Sequence, residues 1–119
     1  MRIGELARRT GVSERALRYY EQQGLLTSER RPSGYRLYRE EHVPAVRRIR
    51  VLLAAGLSTA QIVEVLPCVV DDEGLLTPGC PELVDGLVRH RHRIDEAIGE
   101  LEATRATLDT MLAGRRRAD

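Results

Sequence analysis

Reactivity in this sequence is concentrated in two sets of side chains, a pair of cysteines and a population of arginines gathered toward one end. Cys68 and Cys80 are separated by eleven residues, and His90 and His92 follow. Two thiols so placed have three readings. They are inert packing residues, they form a thiol–disulfide switch, or they bind a thiophilic metal ion with His90 or His92 completing the set. The spacing is not a recognised zinc pattern, and two sulfurs are too few for a closed tetrahedral site. Pro67 and Pro81 bracket the pair, so the ends of the intervening stretch can approach, which is the geometric basis for a switch. A bond there would change the angle between the elements on either side.

The second set is larger. All 19 basic residues are Arg. Residues 1–50 hold 12 of them against 6 Glu, a balance of +6, whereas residues 51–119 hold 7 against 12 acids, a balance of −5. The net charge of +1 hides this asymmetry, which points to an N-terminal part that binds a polyanion. Arg suits that task because its planar fork matches a phosphate with two parallel hydrogen bonds. Catalysis is not indicated: three His, a helix-capping Ser and one Cys pair form no base–nucleophile constellation.

The scaffold holding these groups reads as helical. Phe and Trp are absent and four Tyr are the only aromatics, so aliphatic side chains and Ala must do the packing, against a β-sandwich or barrel. The longest apolar run, residues 51–57, is too short to span a bilayer. The first residues carry no apolar signal region, and with two cysteines a cytoplasmic address is expected.

Ile3, Leu6 and Ala7 share one face of a short helix that Gly11 ends. Ser13 caps a second helix over residues 14–23, with Leu17 and Tyr20 inward and Gly24 as its stop. Two short helices about a glycine turn make a helix-turn-helix; an αα-hairpin in a dimeric helical adaptor that binds another protein would look similar. Leu25 and Leu26 pack back on the pair. Residues 30–38 then read as strand, turn and strand, with Pro32 and Gly34 in the turn and Tyr35 and Leu37 alternating with Arg36 and Tyr38. Three Arg and two Tyr on a hairpin suit a wing lying along phosphates. A third helix over residues 40–55 turns Val43, Val46, Ile49, Leu52 and Leu53 inward. Ser58 caps a fourth, with Ile62, Val63 and Leu66 inward and Pro67 ending it. Residues 67–81 read as a linker loop.

Residues 82–112 form a helical pattern that only Gly86 and Gly99 break, and Leu87, Ile94, Leu101 and Leu108 recur in it every seven residues. A companion row of Val84, Ile98 and Leu112 is interrupted by Arg91 and Arg105, positions suited to meeting acids such as Glu96 or Glu102. Such a helix is roughly 45 Å long, more than so small a globule can cover. The economical partner for its stripe is the same helix of a second copy, although folding back on residues 1–66 is also open. Arg115, Arg116 and Arg117 either complement the helix C-terminus or form a frayed tail.

Several of these strings occur together. Ile3-Gly4-Glu5-Leu6-Ala7, Gly11-Val12-Ser13, Leu17-Arg18-Tyr19-Tyr20-Glu21, Gly24-Leu25-Leu26, Gly34-Tyr35-Arg36 with Tyr38, and Gly56-Leu57-Ser58 before Ile62 follow one another at matching spacing. In this the sequence resembles the MerR family of bacterial transcription regulators over roughly residues 2–66, and the long terminal helix also fits. The resemblance implies an all-α fold with a small β-hairpin wing: a winged helix-turn-helix in residues 1–66, the linker in 67–81, and a dimerisation helix with its tail in 82–119, pairing as an antiparallel coiled coil. It also implies a homodimer on a pseudo-palindromic operator in double-stranded promoter DNA. Distortion of that DNA would let RNA polymerase, brought close at the promoter, engage both promoter elements.

Carried over position by position, the resemblance places Ser13 at the start of the recognition helix. Arg15 is the expected base reader, through a bidentate contact to guanine, while Arg18 and Tyr19 hold phosphate. Arg18 has an alternative in an ion pair with Glu14 or Glu21. Arg36 and Tyr38 of the wing, supported by Tyr35, are expected to grip the adjacent backbone. The dimer seam is Leu87, Ile94, Ile98, Leu101 and Leu108. Metal- and redox-sensing members carry ligand cysteines after the dimerisation helix, and drug-binding members a large further domain. Neither occurs here, so any thiol or metal response is expected to run through Cys68 and Cys80.

Overall fold

A computed structural model describes residues 1–118, with side chains as far as residue 115. Arg116 and Arg117 of the terminal arginine cluster, and Asp119, lie outside the described side chains. The chain forms two compact units, Met1–Thr77 and Pro78–Asp119.

The first unit holds α1 (Ile3–Thr10), α2 (Glu14–Gln22), a hairpin of β1 (Glu29–Arg30) and β2 (Arg36–Leu37), α3 (His42–Ala54) and α4 (Thr59–Val65). Local chemistry sets these boundaries. Gly11 takes φ 73°, and its N–H closes α1 on the Ala7 carbonyl. Ser13 Oγ accepts from the Ala16 N–H at 3.1 Å, satisfying a donor that the start of α2 would leave unpaired. Ser58 and Gln61 form a reciprocal capping box on α4, with bonds of 3.2 and 2.9 Å. The helical spacing read from the sequence converges on one core. Leu6, Leu17, Val46, Ile49 and Ile62 are each fully buried, and Leu25 and Leu26 fold back onto them. Val63 departs from expectation at 41 % exposed. Ile62 takes the inward position of this two-turn helix, and the next residue lies about 100° around it.

Residues 67–81 are not a loop. A 3-10 turn over Leu66–Cys68 leads into a second two-stranded hairpin, β3 (Val69–Asp72) and β4 (Leu75–Pro78). Glu73 and Gly74 connect the strands with φ 50° and 84°, the paired positive values of the tightest hairpin turns. Asp71 Oδ1 accepts from the Gly74 N–H at 3.0 Å. Of the acids that suggest a linker, Asp71 and Asp72 end β3 after Val69 and Val70, Glu73 opens the turn, and Leu75 and Leu76 begin β4.

The second unit is essentially one helix, α5 (Pro81–Ala118), of 38 residues and roughly 57 Å. Pro81 suits its first position, where an N–H would lack a partner, and the Cys80 carbonyl accepts from Leu83 and Val84. It extends the expected 82–112 at both ends and passes through Gly86 and Gly99 without a break. Thr104, Thr107 and Thr110 each return a hydroxyl hydrogen bond to the carbonyl four residues back, at 3.0, 3.2 and 3.0 Å. No described helix is long and apolar enough to cross a membrane.

Candidate nucleic-acid interface

Helix α2 has two faces. Leu17 and Tyr20 are buried, while Arg15, Arg18 and Tyr19, at i, i+3 and i+4, stand exposed together. Gln22 extends this polar row by one turn; the sequence reading passed over it. Ser13 sits at the head of the row, its oxygen engaged in the cap. Arg18 forms neither of the ion pairs open to it among the described residues, and its charge is uncompensated there.

Glu21 has other partners. Its Oε1 accepts from the Ser28 N–H at 3.3 Å and from the Ser28 hydroxyl, and its Oε2 accepts from Arg36 Nη1 at 2.7 Å and the Tyr38 hydroxyl at 3.3 Å. One carboxylate thus joins the recognition helix to both ends of the wing. Burial raises the Glu21 pKa, but the Ser28 hydroxyl, the Arg36 charge, the Ser28 N–H and the Tyr38 hydroxyl together outweigh it, so the carboxyl ionises below its ordinary range. Tyr38 shows the opposite shift: burial, then the neighbouring Glu21 charge, raises its phenol above the ordinary value.

The expectation that Tyr38 grips a DNA backbone needs correction. Its ring is 2 % exposed and packs edge-on against His42 with centroids 5.7 Å apart. The strand ladder ends at Leu37, after Glu29 pairs with Leu37 and Arg30 with Arg36. Beyond it, the Tyr38 N–H donates to the Met1 carbonyl at 2.7 Å, and the Met1 amine donates to the Tyr38 carbonyl at 2.6 Å. That reciprocal pair turns the ring inward, so Tyr38 anchors the wing to the core. Arg36 remains half-buried, with one nitrogen committed to Glu21. Tyr35 is 52 % exposed at the turn, and the Arg2 guanidinium stacks on its ring 4.0 Å from the centroid.

An open cleft of about 370 Å³ lies between the start of α1, the recognition helix and the wing, and Arg2, Arg18, Tyr35 and Arg36 line it. The scaffold around it is tied by two further arginines. Arg9 pairs with Glu40 through two bonds of 2.6 and 2.7 Å, and Arg50 Nη1 donates to the Thr10 carbonyl at the end of α1, 3.1 Å away.

Neither Cys68 nor Cys80 is a free thiol, since both are disulfide-bonded. A disulfide offers no thiolate to a metal, and no group of three or more His, Cys, Asp or Glu able to hold a metal ion occurs among the described residues. His92 pairs with Glu96 on its own helix at 2.9 Å.

On α5, Leu87 is half-buried, while Ile94, Ile98, Leu101 and Leu108 are 44, 47, 70 and 53 % exposed. With Leu112 they form an apolar stripe interrupted by Arg91 and Arg105. Arg105 lies along it, beside a shallow groove shared with Ile98, Leu101 and Glu102.

A winged helix-turn-helix with an arginine-rich exposed face, followed by a long helix with an apolar stripe, defines a class of DNA-binding regulator. Two family models match the chain: "MerR HTH family regulatory protein" over residues 1–67 and "MerR, DNA binding" over residues 43–111. The chain belongs to the MerR family of helix-turn-helix transcriptional regulators, a non-enzymatic family. It is 41 % identical over 108 residues to the nodulation protein NolA of Bradyrhizobium elkanii, covering 90 % of this chain and 42 % of NolA. The chain thus spans about two fifths of the NolA length. It is 36 % identical over 108 residues to a homolog of the transcriptional activator SoxR from Chromobacterium violaceum, covering 82 % of this chain and 73 % of that protein. A crystal structure from Listeria monocytogenes, assigned to the same family, has a TM-score of 0.55 at 23 % identity, covering 94 % of this chain and 83 % of the other. At that identity the likeness is one of fold. None of these matches supports the adaptor reading.

Proposed function

We propose that two copies of this chain join through the apolar stripe of α5 and place their winged heads on the two halves of a pseudo-palindromic operator in promoter DNA. Arg15 reads a base edge, Arg18 and Tyr19 hold phosphate, and the wing, through Arg36 with Tyr35 in a supporting place, holds the adjacent backbone. Distortion of the duplex then brings the promoter elements into register for RNA polymerase. The protein works in the bacterial cytoplasm, at the nucleoid when bound to DNA. The observation that carries the reading is the pairing of an exposed cationic face in the first unit with a stripe of exposed Ile and Leu on α5. An apolar row of that extent marks an interaction surface, and its seven-residue period suits a second copy of the same helix.

A thiol response is a second reading, supported by the disulfide-bonded state of Cys68 and Cys80. An oxidant would accept two electrons as the two thiols lose their protons and the S–S bond forms, and a dithiol reductant would reverse it. The test of the first reading is run-off transcription from a promoter fragment that the protein protects from nuclease, using reduced and oxidised protein side by side. Protection of two symmetry-related half-sites with altered transcript yield supports it. Failure to protect any duplex at low salt refutes it.

A further inference from the structure

We infer that the cleft lined by Arg2, Arg18 and Arg36 is a seat for a single backbone phosphodiester, with Arg2 as a DNA contact held in place by stacking on Tyr35. The inference rests on the regulator reading and adds to it a residue outside both the recognition helix and the wing.

Three guanidinium groups from three separate segments line one open cleft of about 370 Å³. Two of them are restrained, each by different chemistry. Arg36 has Nη1 bound to Glu21, which leaves the rest of its fork for an external acceptor. Arg18 projects from α2 without an ion-pair partner among the described residues. Arg2 is held at both ends: its carbonyl accepts from the Glu5 and Leu6 N–H groups at the start of α1, each at 3.2 Å, and its guanidinium lies over the Tyr35 ring. Stacking removes rotamer freedom from a long side chain before any ligand arrives, so less entropy is lost on binding.

Like charges converge here at a cost unless an anion joins them. The residues described as lining the cleft include no acid, and Glu21, which holds Arg36, is already shared with Ser28 and Tyr38. An anion from outside offsets that cost. An arginine-lined concavity open to solvent and beside a recognition helix suits an oxygen-rich monoanion on a polymer, which is a phosphodiester. Phosphate contacts of this kind add affinity without reading sequence.

The experiment is a salt titration of duplex affinity with the full chain, comparing wild type, Arg2→Ala, Arg2→Lys, Tyr35→Leu and the Arg2→Ala/Tyr35→Leu double variant. Arg2→Ala is expected to weaken operator and random duplex by the same factor, on the order of tenfold. The slope of log affinity against log salt should become shallower by about 0.9 for each bound copy. Arg2→Lys should retain the slope. Tyr35→Leu should weaken binding less than Arg2→Ala does, and the double variant should be no weaker than Arg2→Ala, because the ring acts through the guanidinium. Thermal melting of each variant separates a folding loss from a contact loss. In a scan of neutral methylphosphonate linkages, one position should weaken wild type while leaving Arg2→Ala unchanged. Wild type that binds with a steep salt slope, alongside a folded Arg2→Ala protein of equal affinity and slope, would overturn the seat alone. Wild type that binds no duplex would defeat the regulator reading itself.

Discussion

The two units of this chain treat apolar surface in opposite ways. Residues 1–77 bury Leu6, Leu17, Val46, Ile49 and Ile62 completely, with Tyr20 and Tyr38 beside them, and leave Arg15, Arg18, Tyr19 and Tyr35 outside. Helix α5 leaves Leu101 and Leu112 at 70 and 61 % exposed and has charged residues beside them. The head is complete in one chain, whereas the helix has an outer face that only another surface can cover. Stability of the head and function of the helix are therefore expected to respond to different mutations.

The largest effect is expected on the helix. Leu101→Arg would place an unpaired charge on the stripe, costing about 3–5 kcal/mol of association. Sedimentation should then report a monomer whose head still melts as in wild type. A stable Leu101→Arg dimer would show that the seam lies elsewhere on α5. On the head, Arg15→Ala is expected to cost about 1–3 kcal/mol of operator affinity and to relax preference at one base position. Selection of binding sites from random duplexes reads this directly, and an unchanged base preference would remove Arg15 as a reader.

A smaller effect tests how the head holds its wing. Glu21→Gln removes the charge that binds Arg36 while keeping the size of the side chain, at about 1–2 kcal/mol of stability. Because the folded protein holds the Glu21 carboxyl below its ordinary range, its contribution is present above the unfolded carboxyl pKa. It is lost as pH falls through the lowered folded value. Melting curves of wild type and Glu21→Gln should converge in acid and separate toward neutrality; a difference that grows in acid would reverse the assignment. The smallest effect concerns the cysteines. Cys68→Ser should abolish any change in transcription on adding oxidant, and a wild-type response in that variant would exclude the switch.

Legibility in the sequence follows the same division. Helices whose apolar residues recur every three or four positions, such as Val43, Val46, Ile49 and Leu52, were readable because burial and period coincide. Gly11, Ser13 and Ser58 marked their ends through backbone geometry and capping. The α2 face was readable too, since Arg15, Arg18 and Tyr19 lie opposite Leu17 and Tyr20. Tyr38 was not, because its inward turn depends on a backbone pair with Met1, 37 residues away. The second hairpin was hidden because Asp71, Asp72 and Glu73 resemble solvated linker residues, although Glu73 and Gly74 make its turn. Arg2 gave no signal of its own, for its stacking partner Tyr35 lies across the fold. Glu21 reads in the sequence as a neighbour for Arg18, whereas the wing supplies its actual partners, Ser28, Arg36 and Tyr38.

Sedimentation equilibrium of the chain at micromolar concentration, alone and with a duplex bearing the protected operator, counts the chains on each duplex. A dimer is expected in the absence of DNA, and two chains per duplex in its presence. A monomer that binds one chain per duplex, with no second chain recruited, would contradict this expectation.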